Sequence, residues 1–353
     1  MTQGSVVPTL LSHLPVTILT GALGSGKTTV LSHLLRQPEL SRTAVIINEF
    51  GDIGLDHLLV AHSDENVVLL ESGCVCCTLR SDLAEALGDL DSRQARGDLP
   101  PFDRIVVETT GLADPAPIAH TLLTDVAVSS RFRLQRIITT VDAVHATREL
   151  ATREESRRQT ALADVLLMTK ADLVSSTQMT EATSRVRELN AGAPILEARH
   201  GAVEPKILDG GYHDLRAAAA PLQSWLQTDA LALRTHNEAH HVHHTESHRG
   251  VGIQSFALVR EEPVHLPAVL QFLEELARDH GDELLRIKGV LHCEGSARPI
   301  VVHGIQHLLH PPLQLPAWPS ERRRTEIVFI TDGLSRVDIE SRFQQSIDQR
   351  QDR

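Results

Sequence analysis

Residues 21–28 read GALGSGKT, which matches G-x-x-x-x-G-K-[ST] at every fixed position. The motif requires a strand before it and a helix after it, and both are predicted here. VTILT (16–20) is short, apolar and rich in β-branched residues, and a helical pattern runs from Lys27 to about Gln37. Each fixed letter has a physical reason. Gly21, Gly24 and Gly26 permit backbone angles and approaches that a Cβ would block. Successive N–H groups, through Leu23, Ser25 and Thr29, then face a concavity suited to phosphate oxygens. The following helix adds the positive end of its dipole. Lys27 is expected to hold the β- and γ-phosphates, and Thr28 to give an oxygen to Mg²⁺.

The rest of the first two-thirds fits such a loop. AVIIN (44–48), VVLL (67–70), RIVVE (104–108), RIITTV (136–141), VLLMT (165–169) and PILEA (194–198) read as short buried strands. Helical patterns at 79–90, 153–163 and 177–188 separate most of them. Continuous apolar strands alternating with helices predict an α/β fold, a mostly parallel sheet covered on both faces, extending to about residue 225. RTHNEAHHVHHTESHRG (234–250) is polar and without periodicity. After it come strand patterns at 252–261, 283–293, 299–309 and 325–330, and helices at 265–281 and 335–347, a smaller α+β unit. The expected organisation is a nucleotide domain over 13–228, a His-rich linker over 229–250 and a C-terminal domain over 251–350.

Two further strand ends carry chemistry. In RIVVETTG (104–111) a strand ends in Glu108, and Gly111 follows three positions on. This is the shape of a γ-phosphate-sensing segment. Glu108 would hold Mg²⁺ through water or orient the attacking water, and Gly111 would offer its N–H. The plainer reading is an acidic cap on a strand. VLLMTKAD (165–172) ends in Thr169-Lys170-x-Asp172. A carboxylate at Asp172 can accept both N1–H and the exocyclic amine of guanine, for which adenine has no matching donor pair. The Lys170 stem would cover the base. This predicts GTP rather than ATP, against the alternative of a solvated loop.

The chain has four cysteines, and three of them, Cys74, Cys76 and Cys77, fall within ESGCVCCTLR (71–80). Thiolates are soft ligands that suit Zn²⁺ and Cu(I). So short a turn cannot easily supply four tetrahedral ligands, and the loop NEFGDIGLDH (48–57) offers Glu49, Asp52, Asp56 and His57 to complete the set. Two other readings stay open: a redox pair, since Cys74 and Cys77 have C-x-x-C spacing, and inert packing. Cys293 stands alone in a strand pattern and reads as core. In the linker, His240, His241, His243 and His244 lie close enough to share an ion, or are incidental to a solvated tract. A net charge of −12 argues against nucleic acid and anionic membrane as main partners. The chain shows neither a membrane-length apolar run nor a secretory leader pattern, so a cytoplasmic location is expected. Self-association is not legible.

Together these motifs resemble the CobW-type P-loop GTPases, and among them the zinc-associated YjiA-type members. The resemblance is carried by TGALGSGKTT (20–29), INEFGDIGLD (47–56), ESGCVCC (71–77), VVETTGLADP (106–115), TVDAVHA (140–146), MTKAD (168–172) and ELLRIKGVLHCEG (283–295). It implies a CobW C-terminal domain and slow GTP hydrolysis, with release of GDP, coupled to binding and delivery of a metal, usually zinc, to a client metalloprotein. It also implies that Cys74, Cys76 and Cys77 are the metal ligands, with acidic residues of the 48–57 loop involved. Related sequences can carry a glutamate where this chain has Ile47. A GTP-gated zinc buffer or sensor, or a chaperone inserting cobalt or nickel, are the alternatives.

Overall fold

The computed structural model describes residues 13–47, 79–216, 252–318 and 321–348. The first body alternates strand and helix. In chain order it runs β1 (Leu14–Gly21), α1 (Lys27–Leu35), β2 (Thr43–Ile47), α2 (Leu79–Arg96), β3 (Arg104–Glu108), α3 (Ala116–Thr124), α4 (Val126–Ser129) and β4 (Phe132–Asp142). α5 (Ala146–Thr152), α6 (Glu154–Leu162), β5 (Val165–Thr169), α7 (Ser176–Leu189) and β6 (Ile195–Ala198) complete it. All pairings are parallel, in the order β2-β3-β1-β4-β5-β6. The order reverses at β1, so the crevice at the carboxyl ends beside β1 is where such a sheet binds ligands.

Both faces of the sheet are covered. Val16 and Ile18 of β1 pack with Leu87 and Leu90 of α2 and Leu122 of α3. Leu19 packs on the other face with Val30, Leu31 and Leu34 of α1. This is why the strands read as continuous apolar runs rather than alternating ones. α7 starts on a reciprocal cap: Ser175 accepts from the Gln178 N–H while the Gln178 side chain accepts from the Ser175 N–H.

The second body is an antiparallel sheet. It contains β7 (Ile253–Arg260), α8 (Leu266–His280), β8 (Leu284–Leu291), β9 (Ile300–Ile305), β10 (Leu308–Leu309), β11 (Leu313–Gln314), β12 (Thr325–Asp332) and α9 (Arg336–Asp348). The strand order is β10-β9-β8-β12-β7, with β11 also paired to β9. α8 and α9 cover one face. Although aromatics are only 3% of the chain, four of its seven phenylalanines (Phe256, Phe272, Phe329 and Phe343) meet in this core. The Phe272 and Phe343 rings sit edge to face at 5.4 Å.

Several expected boundaries change. The helix expected over 79–90 runs on to Arg96, and β4 begins four residues earlier than expected, at Phe132. The helix expected over 153–163 is α6, and a separate α5 precedes it, divided from it by Arg153 in an extended conformation. The single strand expected over 299–309 is a hairpin, β9 and β10, because the chain reverses at Gln306 with φ 51°. The strand expected at 67–70 lies outside the described residues.

The two bodies share a buried interface. Leu285, Ile305 and Ile330 of the second sheet join the core that contains Ala161 and Leu162 of α6. Beside them, Asp164 pairs with Arg286, and with Lys288 Nζ at 2.9 Å. All three residues are buried. Burial works to raise the Asp164 pKa, but Arg286 and Lys288 outweigh it and hold the carboxyl well below its usual range. Burial lowers the Lys288 ammonium to about 8 in spite of Asp164. No helix among the described residues is long and apolar enough to cross a membrane.

Candidate functional site

The turn between β1 and α1 is a loop of backbone. Gly21 has φ 141°, and a Cβ there would lie 2.3 Å from both the carbonyl oxygen and the hydroxyl of Thr140 on β4. Gly26, at φ 91°, is the N-cap of α1, and no side chain caps the helix. An uncapped helix N-terminus behind a glycine loop is a ready site for phosphate. The Lys27 amine, buried at 7% exposure, donates to Gly21 O at 2.9 Å and Ala22 O at 3.0 Å. It is thereby held within the loop.

Side chains behind the loop fix its shape. Ser25 Oγ and Thr140 Oγ1 are 2.6 Å apart, and Thr169 Oγ1 donates to Ser25 O at 2.6 Å. The hydroxyls of Ser25 and Thr169, both expected at the nucleotide site, are thus engaged in holding the loop. Leu23 is 69% exposed at the loop's tip.

The carboxyl end of β3 faces the start of α1. Thr28 Oγ1 donates to Glu108 Oε1 at 2.6 Å. Gly111 then passes so close to the loop that an added Cβ would fall 2.4 Å from the Leu23 N and Cα. From behind, the Gln159 amide of α6 donates to Gly111 O at 3.3 Å and Ala113 O at 2.9 Å. The expected sensing segment is therefore wedged between the loop and α6.

On the other side, β5 ends at Thr169 and is followed by Lys170, held at φ 56° and ψ 28°. Its Nζ donates back to Gly24 O at 2.8 Å and to Asp142 Oδ2 at 2.6 Å. The Asp172 carboxylate lies 3.6 Å from His200 Nδ1, and His200 is itself left-handed at φ 53°. A cleft of about 670 Å³ joins these parts, within the size range of small-ligand sites. It is lined by Leu23, Gly24 and Gly26 to Thr29 of the loop and α1, by Glu108 to Leu112, by Ile47 at the end of β2, and by Lys170 and His200.

The donors at Thr28 and Glu108 fit Mg²⁺. A hydroxyl and a carboxylate are hard oxygens, and few protein ligands suffice because the ion keeps several waters. Asp142, His145, Gln159 and His200 were given no role from the sequence. An acidic residue at the carboxyl end of a central strand was the available signal for Asp142, since Glu108 was found by the same rule. The other three carry no local signal.

Cys74, Cys76, Cys77, Glu49, Asp52, Asp56 and His57 lie outside the described residues, as do His240, His241, His243 and His244. Among the described residues no group of three or more His, Cys, Asp and Glu side chains is arranged to hold a metal. Cys293, the remaining cysteine, is buried in the second core, and burial raises its thiol to about 11. Core is what its sequence context predicted.

Comparison with known proteins adds a lineage. Residues 15–197 match the model of the CobW/HypB/UreG nucleotide-binding domain. Residues 253–347 match that of the cobalamin synthesis protein cobW C-terminal domain. The chain is 30% identical to the zinc chaperone YjiA of Escherichia coli over 333 residues, 94% of this chain and 98% of that one. It is 31% identical to the zinc chaperone CobW of Pseudomonas aeruginosa over 381 residues, 98% of this chain and 94% of that one. The crystal structure of Zn(II)-bound YjiA GTPase from E. coli superposes with a TM-score of 0.67 at 26% identity, covering 95% of this chain and 99% of that one.

Proposed function

The chain belongs to the CobW family of P-loop nucleotide-binding proteins, and from that premise we propose that it is a GTP-hydrolysing zinc chaperone, loading Zn²⁺ in one nucleotide state and passing it to a client metalloprotein. One observation carries the enzymatic half: Thr28 and Glu108, 80 residues apart in sequence, meet at 2.6 Å at the mouth of a loop that already holds Lys27.

In this reading the loop N–H groups and the α1 terminus cradle the phosphates, and Lys27 exchanges its two carbonyl acceptors for phosphate oxygens. Thr28 and Glu108 would hold Mg²⁺, which when bound neutralises charge on the β- and γ-phosphates. Glu108 orients the attacking water and Gly111 presents its N–H to the γ-phosphate. Asp172 selects guanine beneath Lys170. Catalysis then rests on positioning and charge neutralisation rather than on a covalent intermediate.

The zinc half rests on Cys74, Cys76 and Cys77, completed by Glu49 or Asp52. Both sets of candidate ligands fall in residues 48–78, and that segment leaves from Ile47, which lines the nucleotide cleft. A metal site tethered to the edge of the cleft would respond to the nucleotide. The names of the relatives support the same cargo.

The test takes two variants. Lys27→Ala is expected to abolish GTP hydrolysis, and unchanged turnover would refute the enzyme. Replacing the three cysteines by Ser should remove tight zinc binding while GTP affinity stays within about threefold. Retained zinc affinity would move the site to the histidines of 240–244. Zinc transfer to an apo-metalloprotein that is no faster with GTP than without would reduce the protein to a zinc buffer.

A further inference from the structure

Lys170 stands in a backbone region that side chains other than glycine avoid, at φ 56°. Such a placement persists where the surroundings over-determine it. Here the tip of the side chain is tied twice, to Gly24 O of the loop and to the carboxylate of Asp142. Gly24 O is a neutral acceptor. The Asp142 contact, at 2.6 Å between opposite charges, is the stronger of the two.

Asp142 is itself held on several sides. It is the last residue of β4, lies beside Thr169 in the register with β5, and is 4% exposed. The Val144 N–H donates to its Oδ1 at 2.9 Å, and His145 Nδ1 lies 2.9 Å from its Oδ2. The next residue, Ala143, donates its N–H to Thr169 O at 3.0 Å. Burial works to raise the Asp142 pKa, but the bonds from Lys170, His145 and Val144 outweigh it, so the carboxyl stays below its usual value. The carboxylate is charged at neutral pH, and these bonds hold it against the lysine.

We propose that Asp142 is a positioning residue for the guanine nucleotide: it holds Lys170 across the cleft in the conformation that receives the base. This rests on the GTPase reading above. Without the Asp142 charge, Lys170 keeps one neutral acceptor and its stem is released from the edge of the cleft. The strand order β3-β1-β4-β5 puts three strand spacings, roughly 14 Å, between Glu108 and Lys170. The loss therefore falls on nucleotide affinity and not on the chemical step. GDP and GTP carry the same base, so both are affected alike.

Asp142→Asn, Lys170→Met and the double variant of the full chain would be compared by calorimetric Kd for GDP and GTP, by kcat at saturating GTP, and by thermal melting. Asp142→Asn is expected to raise both Kd values about tenfold and to leave kcat within twofold. In the Lys170→Met background the same change should add less than twofold, because Asp142 acts through the lysine. Should the Asn variant not fold, Asp142→Ser keeps an acceptor for the Val144 N–H and gives the same readout. Unchanged Kd values, a loss confined to kcat, or a full tenfold effect in the Lys170→Met background would each overturn the proposal. Absence of guanine-nucleotide binding by the unmodified chain would instead refute the GTPase reading itself.

Discussion

At the scale of single residues, the site depends on positions where nothing larger or differently charged fits. Gly111 is the sharpest case. A methyl group there meets the Leu23 N and Cα at 2.4 Å, and backbone atoms cannot turn aside as the end of a flexible side chain can. Gly111→Ala is expected to push the sensing segment off the loop and to lower kcat for GTP by about a hundredfold, the scale of a misplacement near 1 Å. Steady-state phosphate release measures this. Asp172 differs in kind, because the role proposed for it is recognition. Asp172→Asn keeps the shape but cannot accept both guanine donors, so the preference for GTP over ATP should fall at least tenfold. Competition between the two nucleotides measures it, and an unchanged ratio would remove Asp172 from the base site. Gly111 and Asp172 could both be picked out as candidates from the sequence, because each sits in a short motif whose chemistry is local. Gln159 and His200 were not, since a lone Gln in a helix and a lone His in a loop look the same whether or not they line a site.

At the scale of elements, α6 connects the parts. Its Gln159 holds the carbonyls of Gly111 and Ala113. Its Arg158 guanidinium lies 3.7 Å from Asp114 and 3.6 Å from Asp332 of β12. Gln159→Leu would leave two carbonyls short of a donor at a buried position, at a cost of about 1–3 kcal/mol. Denaturant unfolding should show that loss as a lower midpoint at unchanged slope. Wild-type stability in this variant would mean that the carbonyls find other donors. The elements were legible where patterning is strong: β3 and β5 fall on the residues expected from their apolar runs. The β9–β10 reversal was missed because Gln306, with no glycine or proline beside it, takes the left-handed conformation that normally advertises a turn. α5 was missed because its two buried residues, Ala146 and Leu150, make too short a pattern to register.

At the scale of the whole molecule, the two sheets are joined by a buried charge cluster. Removing the Asp164 carboxylate takes away the ion pairs it makes with Arg286 and Lys288, so Asp164→Asn should destabilise by about 3–5 kcal/mol. Replacing Asp164, Arg286 and Lys288 together by Leu, Met and Met should cost far less, since no charge is then left unpaired. The same carboxyl gives a pH signature. Its folded pKa lies well below its ordinary 3.8, so its contribution to stability is complete above 3.8 and is lost as pH falls below it. Lys288 acts at the alkaline end. Its folded value of about 8 lies below the ordinary 10.5, so the unfolded chain binds more protons between them and stability from this group grows as pH rises from 8 to 10.5. Chemical unfolding across both windows measures these slopes, and Lys288→Met should flatten the alkaline one.

The sequence alone determined whatever is carried by contiguous residues: the phosphate loop and its helix, the strand ends bearing Glu108 and Lys170, and the alternation that makes a parallel sheet. These follow from local backbone geometry and from burial on both faces, which a short string of residues can encode. Only the tertiary structure decided which distant groups meet. Thr28 finds Glu108 because β1 and β3 are neighbours in the sheet. Lys170 finds Asp142 because β4 and β5 are paired in register. Asp164 reaches Arg286, 122 residues along the chain, because the second sheet docks on α6. Such meetings depend on strand order and on the packing of one sheet against another, and neither leaves a mark on the residues next to them in sequence.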